Sequence, residues 1–389
     1  MQLNKRIAST LALLSLVAVV LAGCKETKNS NQQNANQAAR RSARWVAQYR
    51  VPAADLPNVN ALVPFYTSIS VVSRSVVFVT GDMNNPKDMS ERMGIVARTT
   101  DGGATWANLP IERSGLMPEA LNTIHFIDEN RGWVAGLEHG GKAVVLRTVD
   151  GGASWTGAKV EVNQAPTTLF FNDENNGWMG GATAVSEDEP EGGPSSMLVT
   201  TDGGATWREQ RRLSTSLSDI FFIDKMTGWA TGHKGAIYHT TDGGRTWDSQ
   251  KSELELPEGP YDLKSRGAQK FTVRGVDFIN GQTGFAAASG NEEKAGVLIA
   301  TNDGGQVWKT MWIVGDSGVF DTVLVSPTEG WASTKNGRYI FHTVDGGQSW
   351  LSEPIDFEEE VPIYRLGAAD PEHVWAVGAG AVFYRVAVQ

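Results

Sequence analysis

A short motif built around Asp-Gly-Gly recurs along the chain and constrains its fold more than any other feature. The six copies are TTDGGATW, TVDGGASW, TTDGGATW, TTDGGRTW, TNDGGQVW and TVDGGQSW, with their acids at Asp101, Asp150, Asp202, Asp242, Asp303 and Asp345 and their indoles at Trp106, Trp155, Trp207, Trp247, Trp308 and Trp350. An active site usually occurs once per domain, so six copies indicate architecture. Because Asp accepts bonds from nearby backbone N–H groups and Gly-Gly adopts positive φ without strain, the motif predicts a tight hairpin turn. The Trp at its exit is suited to pack on a neighbouring sheet.

The segments between these Asp turns predict four short strands per repeat. In residues 217–247, LSDIFFIDKMTGWATGHKGAIYHTTDGGRTW, three β-rich runs precede a fourth that begins at the Trp. A Gly-aromatic pair marks the second strand of most repeats, at Gly132-Trp133, Gly177-Trp178, Gly228-Trp229, Gly284-Phe285 and Gly330-Trp331. A period of about 40 to 50 residues is typical of propellers. The pattern therefore predicts an all-β fold of four-stranded antiparallel blades.

The two ends of the chain complete one another in this pattern. The last unit, residues 363–389, stops without an Asp turn, where its fourth strand should begin. At the other end, RWVAQYRVP places Trp45 like the Trp after an Asp turn, with no blade before it. We therefore predict a seven-bladed β-propeller over residues 45–389, closed by residues 45–51 as the outer strand of the last blade. Such closure would cover an open sheet edge.

The N-terminus predicts a lipoprotein signal. In residues 1–23, Lys5 and Arg6 precede the apolar run LALLSLVAVVLAG, which is too short to span a bilayer stably. The following LAGC resembles a lipobox, so Cys24, the only cysteine, is the expected lipidation site, against the alternative of a lone Cys in an uncleaved apolar segment. Residues 24–44 are polar and predict a tether. We expect the propeller outside the cytoplasm, anchored to the periplasmic face of the outer or inner membrane, or to the cell surface.

Charge and composition exclude several classes of function. The formal net charge is −10, and removing residues 1–23 would take away two basic residues and no acidic one. A general nucleic-acid-binding surface is therefore not expected. The six histidines share no metal-ligand spacing, and the Asp turns lack the alternating carboxylates of a calcium loop. No metal and no cofactor are predicted.

Loop lengths suggest which face binds. The Asp turns and the first-to-second turns belong to one face of a propeller, and both keep nearly constant lengths. The variable loops all belong to the opposite face: residues 81–94, 182–196, 248–271 and 290–296. Long loops on one side of a rigid scaffold commonly carry function. We expect the partner there, with Lys264 and Arg266 as candidate contacts.

The repeat form F-x-D-x-x-x-G-W followed by T-x-D-G-G-x-T-W resembles the bacterial BNR/Asp-box class over residues 45–389. It is most similar to the photosystem II assembly and stability factors of cyanobacteria and chloroplasts, and to their relatives in non-photosynthetic bacteria. The resemblance implies seven blades, no catalysis, and a role in holding a membrane-protein partner. It also implies an arginine-rich contact patch, for which REQRR provides Arg208, Arg211 and Arg212. The predicted function is a binding or assembly factor for a membrane or envelope protein complex.

A glycoside hydrolase or glycan-binding propeller is the alternative. YRVP resembles the RIP motif of sialidases, whose site needs three convergent Arg, a Tyr–Glu pair and an Asp. The candidates are Arg50, Arg274, Arg338 and Arg365, with Tyr339 or Tyr364 as the nucleophile. A carboxylate pair of the xyloglucanase kind is a further possibility, but no motif ties any residue to either role.

Overall fold

The computed structural model describes residues 43–49, 63–85, 88–183, 193–250, 271–290, 295–315, 317–357 and 360–387. Almost all of them belong to one compact unit, Arg44–Val386. A second unit, Met1–Ala43 with Ala387–Gln389, lies almost entirely outside the described residues. The predictions for the signal segment, for Cys24 and for most of the tether fall in that part.

The described residues form strands throughout, with two short 3₁₀ turns at Ile111–Ser114 and His233–Gly235. The chain begins with β1, Ala43–Tyr49. The first four-stranded sheet has β2 Val63–Val71, β3 Val77–Asn85, β4 Asp88–Thr99 and β5 Ala107–Asn108. The second has β6 Pro118–Phe126, β7 Gly132–Glu138, β8 Lys142–Thr148 and β9 Thr156–Val160. The third has β10 Ala165–Phe171, β11 Gly177–Ala182, β12 Ser195–Thr200 and β13 Arg208–Leu213.

The remaining strands complete the propeller. The fourth sheet has β14 Leu217–Phe222, β15 Gly228–Gly232, β16 Ile237–Thr240 and β17 Asp248–Ser249. The fifth has β18 Phe271–Phe278, β19 Gly284–Gly290, β20 Gly296–Thr301 and β21 Lys309–Val314. Then come β22 Val319–Leu324, β23 Gly330–Thr334, β24 Tyr339–Thr343, β25 Leu351–Asp356, β26 Ile363–Asp370, β27 His373–Gly378 and β28 Ala381–Ala387. These last seven strands share one eight-stranded sheet with β1, in the order β22-β23-β24-β25-β1-β28-β27-β26.

The all-β propeller is confirmed, but the predicted blade count is wrong. Instead of seven separate four-stranded blades, the described residues form five separate four-stranded sheets and one eight-stranded sheet. The cause is β1. It lies beside β28, where the closing strand was expected, and it also pairs in parallel with β25, with Trp45 opposite Ile355 and Val46 opposite Asp356. The free edge of β1 thus joins its own sheet to the preceding one.

The edge strands β2, β6, β10, β14, β18, β22 and β26 line a central channel. Each of them contacts the next, and β26 contacts β2, which closes the ring. Asp turns lie at one end of this ring, beside the first-to-second turns, as shown by the Gly151 N–H donating to the Asn130 carbonyl at 2.9 Å. The Gly203 N–H makes the same bond to Asn175 in the next sheet. This arrangement agrees with the predicted pairing of turns on one face.

One loop predicted on the opposite face is largely strand. Most of residues 81–94 belong to β3 and β4, which pair as a long hairpin with Gly81 opposite Ile95 and Asn84 opposite Arg92. The buried Asp82 explains the extension, because its carboxylate accepts bonds from the Arg92 guanidinium at 3.1 and 3.2 Å across the hairpin. The loops predicted at 182–196, 248–271 and 290–296 lie partly or largely outside the described residues.

Candidate functional site: a pocket in the central channel

The end of the channel opposite the Asp turns holds a pocket of about 250 Å³. Every edge strand that lines the channel contributes to its wall. The lining residues are Phe65, Thr67, Asn122, Thr167, Ala182, Leu217, Ser218, His233, Arg274, Phe320, Tyr364 and Arg365. Phe65 lies near the start of β2, Leu217 and Ser218 lie at the start of β14, and His233 belongs to the 3₁₀ turn between β15 and β16. The pocket therefore opens on the face where the variable loops were predicted.

Arg365 crosses the channel inside this pocket. It belongs to β26, yet its Nη2 donates to the Ser218 carbonyl of β14 at 3.0 Å and its Nη1 to the Arg274 carbonyl of β18 at 3.3 Å. Its Nη1 also lies 3.5 Å from Oδ1 of Asp321 on β22. Only 21% of the Arg365 side chain is exposed. One guanidinium thus links strands from distant parts of the chain and narrows the channel to a pocket.

Carboxylates behind the pocket wall tie successive edge strands together. Asp219 accepts the N–H of Val276 at 3.1 Å, Asp277 that of Leu324 at 2.6 Å, and Asp321 that of Leu366 at 2.8 Å. Each bond runs from one edge strand to the next, so the three acids form a chain of ties from β14 to β26.

Hydroxyls make the equivalent ties on the other side of the ring. Ser70 accepts the N–H of Phe126 at 2.9 Å, and Thr168 accepts that of Ile220 at 3.0 Å. A neutral hydroxyl is enough to hold two strands together. The carboxylates therefore bring charge to one half of the channel beyond what strand pairing requires.

The environment of these carboxylates shifts their protonation. Loss of hydration raises the pKa of Asp321 to about 7, even though Arg365 opposes the shift, and raises the pKa of Asp277 to about 6. Loss of hydration also raises the pKa of Asp219, again against the effect of Arg365. For Arg365, burial alone would lower the pKa, but Asp219 and Asp321 outweigh burial and raise it. Asp321 is therefore protonated more readily than an exposed carboxylate, whereas Arg365 keeps its charge.

Aromatic rings form the apolar wall beside the guanidinium groups. Arg274 lies over the ring of Phe320, with its Cζ 4.7 Å from the ring centroid. Tyr364 stacks on Phe320 with centroids 5.7 Å apart and also contacts Phe65 at 5.1 Å. Guanidinium groups beside aromatic faces suit an anionic group that is attached to an apolar one.

The structure brings together some of the residues proposed for a sialidase-like site and separates others. Arg274, Arg365 and Tyr364 share the pocket, whereas Tyr339 begins β24 and Arg338, just before it, pairs with Glu360. Arg50 lies outside the described residues. The described pocket lining contains neither Asp nor Glu.

Those of the proposed partner contacts that the structure describes lie elsewhere. Arg208, Arg211 and Arg212 belong to β13, the strand of its sheet farthest from the channel. Arg211 donates to the Trp247 carbonyl and lies 5.4 Å over the ring of Tyr238, while Arg212 donates to the Ser196 hydroxyl at 3.0 Å. Lys264 and Arg266 lie outside the described residues. The arginine patch and the channel pocket are therefore distinct surfaces.

The six Asp turns share one set of bonds. In the first, Asp101 Oδ1 accepts the Thr105 N–H and the Thr99 hydroxyl, both at 2.8 Å, and φ is +72° and +92° at Gly102 and Gly103. The hydrogen bonds from Thr105 and Thr99 lower the pKa of Asp101 to about 2. In every other copy, too, the hydroxyl of the Thr two residues before the Asp donates to Oδ1 of that Asp.

In four of the five Gly-aromatic pairs the Gly makes room for an aromatic ring, and at Gly330 it makes room for Leu324. A Cβ on Gly132 would lie 2.3 Å from the Phe126 ring, and one on Gly228 would lie 2.5 Å from the Phe222 ring. Trp133, Trp178 and Trp229 each stack on a Phe of the next sheet, as Trp133 does on Phe171 at 3.6 Å between centroids, whereas Trp331 stacks on His342 of its own sheet. These bonds and contacts account for the repeat as scaffold.

The described residues form no helix that is long and apolar enough to cross a membrane. Within the same residues, no group of three or more His, Cys, Asp or Glu side chains could hold a metal ion.

Sequence reasoning missed the acids behind the pocket. Asp219, Asp277 and Asp321 lie inside otherwise apolar strands, in LSDIFF, VRGVDF and VFDTVL. An acid within an apolar strand is a signal of a buried, bonded carboxylate. This signal does not identify Arg365 as the partner of Asp321, because the two residues are far apart in the sequence.

Comparisons with known proteins fit this architecture. The family model described as photosynthesis system II assembly factor YCF48 matches residues 154–273. No protein among the curated ones matches the sequence significantly. The structure titled "YCF48 bound to D1 peptide" is 16% identical, with 89% of this chain and 97% of that chain covered and a TM-score of 0.58. YCF48 from Cyanidioschyzon merolae is 15% identical, with 88% and 98% covered and a TM-score of 0.56.

An enzyme with the same fold is also similar. The GH74 xyloglucanase from Xanthomonas campestris is 14% identical with a TM-score of 0.59, but the alignment covers 87% of this chain and only 53% of the enzyme. At such identities the likeness of these structures concerns the fold alone. Together with the family model, the comparisons show a BNR-type propeller that resembles the photosystem II assembly factor family.

Proposed function

We propose that the protein is a lipid-anchored binding or assembly factor that acts outside the cytoplasm on a membrane or envelope protein complex. In this proposal Cys24 carries the anchor, and the channel pocket receives a segment of the partner protein. The observation that carries the proposal is the pocket itself, where the guanidinium groups of Arg274 and Arg365 lie beside aromatic rings on the variable-loop face.

The chemistry of the pocket favours a peptide. A carboxylate from a side chain or a chain end would meet guanidinium donors, and an adjacent apolar side chain would meet Phe65, Phe320 and Tyr364. A pocket of about 250 Å³ accommodates one or two side chains but not a folded domain. The YCF48 structure with a D1 peptide supports the idea that this fold holds peptide segments.

A glycan is the alternative occupant. The similarity to the GH74 xyloglucanase supports it only at the level of the fold. Canonical glycoside hydrolysis needs two carboxyl groups flanking the scissile bond. Asp321, the acid nearest to Arg365, is buried and accepts a backbone bond from Leu366, so it is not presented to a sugar.

The decisive experiment is crosslinking in native membranes followed by affinity purification, with wild type compared with Arg274→Gln. Arg211→Gln is the matched control, because Arg211 also lies over an aromatic ring but on the outer strand β13. We expect a defined membrane complex with wild type and with Arg211→Gln, and at least a tenfold loss with Arg274→Gln. Loss with Arg211→Gln alone would assign binding to the arginine patch instead.

Two further results would contradict the proposal. If no membrane complex is recovered with wild type, the protein is not a stable assembly factor. If xyloglucan or sialylated oligosaccharides bind or are cleaved, and Arg274→Gln abolishes this, the pocket is a glycan site.

A further inference from the structure

We propose that Asp321 is a positioning residue that holds Arg365 across the channel, so that the guanidinium is preset to bind a carboxylate of the partner. The inference deepens the proposed function and rests on it for the identity of the ligand. Strand pairing alone does not require this role of a buried acid.

The two oxygens of Asp321 have separate tasks. Oδ2 accepts the Leu366 N–H at 2.8 Å and so ties β22 to β26. Oδ1 remains for Arg365, at 3.5 Å from its Nη1. Because Leu366 is the neighbour of Arg365 in the chain, one carboxylate fixes both the backbone and the side chain at this point of the pocket.

The surroundings of Asp321 are shaped to admit the carboxylate. A Cβ on Gly275 would lie 2.3 Å from Oδ1 and 3.2 Å from Cα of Asp321, so no larger residue fits there without moving the acid. Gly275 directly follows Arg274, whose carbonyl accepts a bond from Arg365. The wall that receives the guanidinium is therefore the same wall that makes room for its counterion.

A fixed guanidinium gains affinity because its side chain has little freedom left to lose on binding. Arg365 already donates to the carbonyls of Ser218 and Arg274, and most of its side chain is buried. If Asp321 served only as a negative charge, its removal would strengthen anion binding. If Asp321 positions Arg365, its removal weakens anion binding. The two roles therefore predict opposite signs.

Asp277 provides a matched control. It accepts the Leu324 N–H at 2.6 Å and so ties β18 to β22 as Asp321 ties β22 to β26. Its pKa is raised by loss of hydration, as for Asp321, but Arg365 does not contribute to the shift. Asp277→Asn therefore removes a carboxylate tie of the same kind without removing the contact to Arg365.

The first test needs no ligand. The exchange with water of the Arg365 side-chain N–H protons would be measured by ¹⁵N NMR, with the signal assigned through Arg365→Lys. We expect exchange in Asp321→Asn to be at least tenfold faster than in wild type and in Asp277→Asn. Equal exchange in wild type and Asp321→Asn would overturn the inference.

The second test measures binding of three labelled octapeptides. Each contains Gly and Ala with one Phe, and they end in a free carboxylate, in an amide, or in an amide with one Glu beside the Phe. Wild type should prefer a charged peptide over the neutral amide by about 10- to 100-fold, the range of a charged hydrogen bond. The preferred peptide shows whether a chain end or an acidic side chain enters. Asp321→Asn should lose this preference and Asp277→Asn should keep it.

The outcomes separate the inference from the proposed function. If wild type prefers neither charged peptide, the anion-binding role of the pocket is wrong, and with it both the proposed site and the inference. If wild type shows the preference and Asp321→Asn keeps or increases it, Asp321 does not position Arg365, while the proposed function stands. If Asp277→Asn loses the preference equally, the effect belongs to the strand ties in general and the positioning role is refuted.

Discussion

A buried carboxylate helps to hold β1 in place, and replacing it should weaken the whole propeller. Glu353 lies on β25 and is 1% exposed. It accepts a bond from Trp45 Nε1 at 3.0 Å and from Arg385 Nη2 at 2.8 Å, and lies 3.0 Å from Nδ1 of His342. These partners belong to β1, β28 and β24, so Glu353→Gln perturbs the point where β1 joins both halves of the eight-stranded sheet.

The loss of stability in Glu353→Gln follows from the charge of Arg385, which remains without its counterion. The Gln carbonyl could still accept the bond from Trp45, but the largely buried guanidinium of Arg385 would lose its counterion. Breaking a buried ion pair by removing one partner typically costs about 3 to 5 kcal/mol. With an unfolding entropy of about 2.1 cal/mol/K per residue over roughly 340 residues, this lowers Tm by about 4 to 7 °C.

The pH dependence gives a second signature. Burial raises the pKa of Glu353, but His342 and Arg385 outweigh it and lower the value below 4.5, so its stabilisation is lost as pH falls through the folded pKa. Burial lowers the pKa of His342, but Glu329 and Glu353 outweigh it and raise the value above 6.5, so that contribution is lost as pH rises through the folded pKa. The difference between wild type and Glu353→Gln should therefore be largest between about pH 4.5 and 6.5.

The assay is thermal and urea unfolding followed by tryptophan fluorescence from pH 3 to pH 9. Glu174→Gln is the control, because Glu174 pairs with Arg131 at 2.7 Å but is 51% exposed, and such pairs contribute at most about 1 kcal/mol. A loss below about 1 kcal/mol for Glu353→Gln, or a loss equal to that of the control, would refute the account of this contact.

Three further changes test the scaffold. Gly132→Ala puts a Cβ against Phe126 and should destabilise the fold by about 1 to 3 kcal/mol in urea unfolding, and an unchanged midpoint would contradict that packing. Trp45→Phe removes the indole N–H donor and should cost about 1 to 2 kcal/mol, which a Tm equal to wild type would disprove. Bonds from Thr206 lower the pKa of Asp202 from its ordinary value of 3.8 to about 2. Asp202→Asn should therefore lower Tm above pH 3.8, and its Tm difference from wild type should vanish as pH falls to about 2. A Tm difference that persists at pH 2 would show another cause.

The scaffold could be predicted from the sequence because its causes are local. The Asp turn depends on one carboxylate, two glycines and a Thr within a few residues, as at Asp101, so the pattern of letters contains the whole interaction. The clearance between Gly132 and Phe126 is likewise contained within one hairpin. Repetition then predicted strands, turns and the closing position of β1 beside β28.

Only the tertiary structure decided how the sheets join and where the pocket forms. The parallel pairing of β1 with β25 depends on two edges meeting in space, and alternation of side chains gives no signal for it. The same holds for Arg365, whose carbonyl partners lie 91 and 147 residues away in the chain. Sequence spacing predicts contacts that a turn or a strand can make, whereas the ring of edge strands brings these groups together only after the whole propeller has closed.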